Sequence, residues 1–178
     1  MEITSLFGIP AHPLIVHAAV VLVPLAAIGT AVIALWGRAR RALGWVVVGL
    51  AVASFGAVGL AQKSGGSLAD HVVPTALTRA HVEMGDAVLP WAFGILLAAL
   101  AVMVLDTWRT RQQASDPSKP TDGPDWLRPV TIALGAAALV FAIGGSVQVY
   151  RVGHSGAKAV WQSTDMNGPS TGGGEEGG

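Results

Sequence analysis

Five histidines, His12, His17, His71, His81 and His154, are the residues of this chain best suited to chemistry. A neutral imidazole ligates iron, copper or zinc, and a protonated one carries charge close to physiological pH. His12 and His17 belong to Pro10-Ala-His-Pro-Leu-Ile-Val-His17, which opens an apolar stretch. Pro13 fits the first position of a helix, so His12 is expected at that helix's mouth. His17, five residues further on, should lie about 7–8 Å deeper at helical rise. Ionisable groups at that depth in a membrane face the bundle interior and have a partner. His81 stands in Ala80-His-Val-Glu-Met-Gly-Asp86, just before another apolar stretch. Gly85, one turn along, leaves room beside it, and Glu83 and Asp86 either orient the ring or are simply solvated. His71, next to Asp70, reads as a solvated loop residue, and His154 in Gly153-His-Ser-Gly156 is placed to fold back over a site.

Two imidazoles on facing helices at similar depth form the ligand set of a b-type haem. His17 and His81 are therefore the expected haem-axial or metal ligands, with His12 as substitute or supporting partner. Gln62, Gln148, Tyr150 and Arg151 are expected nearby, with Arg151 snorkelling to headgroups or pairing with a propionate. The absence of cysteine excludes disulfides, thiolate metal sites, iron–sulfur clusters and covalently attached c-type haem. No nucleophile–base pair, phosphate loop or paired-histidine zinc motif is present. The formal net charge is zero, so nothing argues for a nucleic-acid partner.

The elements that must position these histidines are membrane spans. The chain is 52% hydrophobic and 12% charged, well below the charged share of a soluble domain. Four apolar runs without strict charges, Pro13–Trp36, Ala42–Ala61, Ala87–Leu105 and Val130–Val149, are each long enough to cross a bilayer. The fold class is thus all-α, an integral membrane four-helix bundle in the lipid bilayer. It occupies residues 1–161, and residues 162–178 form a disordered Gly-rich tail. The polar, proline-rich stretch Gln112–Asp125 also reads as unstructured. Arg38, Arg40, Arg41, Arg109, Arg111 and Arg128 fall between spans one and two or three and four, which makes those loops cytoplasmic and the topology N-out/C-out. Trp36, Trp45, Trp108 and Trp126 mark the same inner interface. No basic residue precedes the first run, which argues against a cleaved signal peptide. The expected location is a bacterial plasma membrane, crossed several times.

A weak internal repeat accompanies this plan. Phe55-Gly-Ala-Val-Gly-Leu-Ala-Gln62 in the second run parallels Phe141-Ala-Ile-Gly-Gly-Ser-Val-Gln148 in the fourth. The first and third runs each follow a histidine, contain a proline and end in Trp and arginines, as two repeated helical hairpins would. The repeat equates His17 with His81, although His17 lies seven residues before Pro24 and His81 nine before Pro90. Other readings remain open at this point. One is a cofactor-free scaffold or accessory subunit whose histidines cap helices and contact a redox or membrane protein partner. Another is a proton relay through His17, Glu83 and Asp86.

Through the HPxxVH opening (His12, Pro13, Val16, His17), His81 ahead of the third span and Gly144–Gly145 in the fourth, the chain resembles the membrane family known as domain of unknown function 2231. The resemblance covers about residues 8 to 161. It implies a four-helix membrane fold with histidines gathered at the outer face.

Overall fold

The computed structural model describes residues 5–6, 9–69, 76–115 and 127–161. His71, Asp70, Trp126 and the tail fall outside these residues. A two-residue antiparallel ladder, β1 (Ser5–Leu6) with β2 (Ile9–Pro10), precedes five helices. These are α1 (Ala11–Leu35), α2 (Gly37–Ala69), α3 (Ala76–Asp86), α4 (Val88–Ser115) and α5 (Leu127–Trp161). Four stretches are long and apolar enough to cross a membrane, with Arg79–Ser115 combining most of α3 with α4 as the third. The helices overrun the apolar runs. α2 and α5 each extend well past the end of theirs, and α4 carries Gln112–Ser115 as helix where the sequence reads as loop.

α1 packs on α2 and α5, and α4 packs on the same two, so the spans form a square up-down-up-down bundle. The connection from α1 to α2 is the single residue Trp36, bridged by Trp36 N to Val32 O at 2.8 Å and Arg40 N to Trp36 O at 3.0 Å. Connectivity puts Ala11 and Trp161 at one end of the bundle, here the histidine end. Arg38, Arg40, Arg41, Arg109 and Arg111 gather at the other.

The distribution of residue sizes is that of a protein dissolved in lipid. Alanines fill the interior: Ala26, Ala27, Ala51, Ala92, Ala99 and Ala138 are buried. Large apolar residues such as Val21, Ile28, Val46, Ile132 and Ile143 are exposed. In water this arrangement would leave most of the apolar area unburied. In a bilayer there is no solvent to escape, and helices associate by close approach of small side chains.

The third span breaks at Ala87 for a local reason. Pro90 has no N–H to give to the Asp86 carbonyl one turn back, and its ring crowds that oxygen. The side-chain amide of Gln62 donates there instead, at 3.2 Å to Asp86 O and 3.4 Å to Gly85 O. Gln148 donates to Met84 O at 2.9 Å. Amides from α2 and α5 thus satisfy the loosened end of α3 and hold it against the bundle, as apolar surroundings require.

Candidate functional site

At the histidine end, two side-chain pairs repeat one arrangement. His12 Nδ1 lies 2.9 Å from Ser64 Oγ, joining α1 to α2. His81 Nδ1 lies 2.9 Å from Ser155 Oγ, joining α3 to α5. Each serine hydroxyl donates its one proton to its own helix, Ser64 to Ala61 O at 3.0 Å and Ser155 to Val152 O at 2.9 Å. A hydroxyl so engaged can only accept from the imidazole. In that arrangement Nδ1 carries the hydrogen in each neutral ring. The lone pair is left on Nε2 of both histidines.

Glycines shape both pairs. A Cβ on Gly65 would stand 3.0 Å from His12 Cε1, and one on Gly156 would stand 3.1 Å from His81 Cε1. Each imidazole brings its Cε1 corner against a helix at a Ser-Gly step, Ser64-Gly65 or Ser155-Gly156. A Cβ on Gly85, one turn from His81, would meet nothing within 4 Å, so that face of α3 is open. All four side chains lie outside the apolar runs or at their edge, which places the site at the membrane interface.

His17 is not brought to this pair. Five residues beyond His12, it projects about 140° further round α1. Its ring is exposed and Nδ1 donates to Pro13 O of its own helix at 2.6 Å. His12 and His81, and not His17, are the histidines tied to a neighbouring helix through a serine. The repeat equates His17 with His81, whereas the helix-to-helix contacts set His12 and His81 against the two Ser-Gly steps. His154 does not fold over the site. It is exposed and stacks on Tyr150 of its own helix, with ring centroids 6.1 Å apart and planes 8° off parallel. Glu83, Asp86 and Arg151 are also exposed, so no relay of His17, Glu83 and Asp86 converges. Among the described residues, no group of three or more His, Cys, Asp or Glu side chains comes together.

Ser64, Ser155, Gly65 and Gly156 were not singled out by sequence reasoning. The signal lay in the repeated dipeptide Ser-Gly, once at the outer end of each return helix, but glycine-rich stretches are common enough to hide it.

The family described as predicted membrane protein (DUF2231) matches residues 8–164. The chain belongs to that family. The match takes in both histidine–serine pairs and all four spans, so this member is a multi-pass membrane protein whose paired site lies inside the family's shared region. No curated protein and no solved structure matches the chain.

Proposed function

We infer that the chain binds a b-type haem at its outer face, through Nε2 of His12 and Nε2 of His81, and passes electrons or senses redox state there. The observation that carries this reading is the shared contact: Nδ1 of each ring lies 2.9 Å from a serine hydroxyl that is bonded to a carbonyl of its own helix, which keeps Nε2 for a ligand. Metal-ligating histidines are almost always fixed by a hydrogen bond from the other ring nitrogen. Two imidazoles are the number a haem iron takes from a protein when both axial positions are filled. A bare metal ion held by the same two rings is the less complete alternative, since it would need further ligands. Held by His12 and His81, such a haem would supply one-electron transfer. The arginine distribution favours the exterior of a bacterial plasma membrane for this site, with a redox or membrane protein as its electron partner.

A second reading has its own support. The same hydrogen bonds tie α1 to α2 and α3 to α5, so the histidines would serve equally as latches in a cofactor-free scaffold. An absorption spectrum of the purified protein, expressed with haem supplied and then reduced with dithionite, separates the two. A Soret band with sharp reduced α and β bands, lost in His12→Ala and in His81→Ala, supports the haem reading. A featureless spectrum from folded protein leaves the scaffold.

A further inference from the structure

His17 takes no part in the paired site, and its own surroundings are unusual. Its Nδ1 lies 2.6 Å from Pro13 O. A carbonyl oxygen only accepts, so Nδ1 holds the hydrogen of the neutral ring and Nε2 carries the lone pair. The residue stands five positions into the first span, His12–Leu35, and its ring is exposed. Ionisable side chains within a span ordinarily face the bundle interior. This one presents a hydrogen-bond acceptor outward, at the edge of the hydrocarbon.

Helix register brings Tyr150 of α5 to the same place. A Cβ on Gly145 would lie 3.8 Å from Val23 Cγ1, so these residues are level in the antiparallel pair α1 and α5. His17, six residues outward from Val23, stands about 9 Å above that level, and Tyr150, five outward from Gly145, about 7.5 Å. Both also turn the same way. Gly29, whose Cβ would lie 3.1 Å from Val47 Cγ2, marks the α2 flank of α1. His17 is on the other side of Val23, about 120° round the helix. Gly144, whose Cβ would run into the Trp91 ring, marks the α4 flank of α5. Tyr150 is on the other side of Gly145, about 140° round. Each helix therefore projects its residue along the outward side of the α1–α5 groove, and Tyr150 is 71% exposed. Gly153, one turn above Tyr150, is exposed, and a Cβ on it would meet nothing within 4 Å. The groove is thus open beside the two side chains.

A ligand for this place must arrive through the hydrocarbon and carry an O–H donor for the Nε2 lone pair. It must also be thin enough to lie in a shallow groove beside an aromatic ring. We propose that the groove binds a membrane-dissolved hydroquinone, one hydroxyl of which donates to His17 Nε2 while its ring lies beside Tyr150. An apolar tail on that ring runs down the same face of the bundle, where Val21, Ile28 and Ile143 are exposed. The oxidised quinone has carbonyl oxygens only, which cannot donate to Nε2, so the site prefers the reduced form. This goes beyond the haem reading, since no part of the groove requires haem.

The test is anaerobic equilibrium binding of a tritiated, decyl-substituted benzohydroquinone to the full chain, purified without haem and held in phosphatidylcholine nanodiscs. It is run at about pH 8, where an ordinary imidazole is neutral. His17→Ala should lower affinity about fivefold, the loss expected for one neutral hydrogen bond. The dimethyl ether of the same compound, and its oxidised quinone, should bind the native chain about fivefold more weakly than the hydroquinone and should ignore His17→Ala. Those two arms use the native chain and do not depend on how a variant folds. Gly153→Leu, which fills the groove, should also lower affinity. Arg151→Gln, about 100° further round α5 toward α4, should leave it within about twofold. Equal binding of hydroquinone, ether and quinone, or hydroquinone binding unchanged in His17→Ala, overturns the proposal. Displacement of the hydroquinone by phosphatidylglycerol added to the nanodisc would assign the acceptor to a headgroup hydroxyl and overturns it as well. Because the protein carries no haem in this experiment, failure of the haem reading leaves every one of these expectations in place.

Discussion

His81 and Ser155, 74 positions apart in the chain, meet at 2.9 Å with the hydroxyl facing the ring as acceptor. That contact decides which nitrogen of His81 is available to a ligand. Removing the hydroxyl in Ser155→Ala frees the imidazole to rotate and change tautomer, while leaving His81 itself in place. Loss of such an orienting partner typically costs about 10- to 100-fold in metal affinity. Haem retention, titrated in detergent, should fall by that order in Ser155→Ala and in Ser64→Ala. Ser155→Thr, which keeps the hydroxyl, should retain most of the affinity. His17→Ala should change nothing, because its ring faces away from the pair. Equal loss in His17→Ala would sink the His12–His81 assignment.

The two flanking glycines give a graded version of the same test. Adding a methyl at Gly65 or Gly156 puts a Cβ 3.0 or 3.1 Å from the imidazole Cε1. Each ring must then shift by a few tenths of an ångström. Gly65→Ala and Gly156→Ala should therefore weaken haem binding by less than the serine variants and broaden the reduced α band. Gly66→Ala is the control, since a Cβ there meets nothing within 4 Å. If all three alanine variants behave alike, the rings do not rest on these glycines.

The spans were legible because each needs about 20 apolar residues in series, and the four runs could be nothing else in 178 residues. Their overrun was not legible. Residues such as Lys63 and Arg79 are polar enough to end an apolar run yet lie in helix, because helix continues wherever its backbone is paired. The histidine end was legible as a place but not as a geometry. Depth along α1 favoured His17, whereas the angle around α1 favours His12. An angle has meaning only when the neighbouring helix is known, and Ser64 and Ser155 are what define that neighbour.

Helix contacts in the interior make a prediction about stability. A Cβ on Gly144 would lie 2.1 Å from the Trp91 ring, and one on Gly94 would lie 2.2 Å from the Phe141 ring. Trp91 and Phe141 pack edge-on, with centroids 6.0 Å apart at 71°, so neither ring can move without displacing the other. Gly44 meets Met103 Sδ at 2.1 Å, but a methionine side chain has the freedom to turn aside. Gly144→Ala and Gly94→Ala should each destabilise the bundle by about 1–3 kcal/mol, and Gly44→Ala by less. Thermal unfolding in a mild detergent ranks the three. Gly44→Ala proving the worst would contradict the rigid-pair account.

The break in the third span offers a test that separates a local cause from a general one. Pro90 withholds a donor from Asp86 O, and Gln62 Nε2 supplies one at 3.2 Å. In Gln62→Leu that carbonyl loses its donor, at a cost of about 1 kcal/mol. Pro90→Ala restores a backbone N–H one turn from Asp86, so the helix can satisfy its own carbonyl. Gln62→Leu should then cost much less in the Pro90→Ala background than in the native chain. Gln148 donates to Met84 O, which in an unbroken helix would take the Val88 N–H and not that of residue 90, so Gln148→Leu should couple to Pro90 more weakly than Gln62→Leu does. The three variants and their combinations form double-mutant cycles read by chemical or thermal unfolding. Stronger coupling of Pro90 to Gln62 than to Gln148 identifies the proline as the cause of the break. Equal coupling for both glutamines would mean that α3 is held by bundle packing, with Pro90 incidental to it.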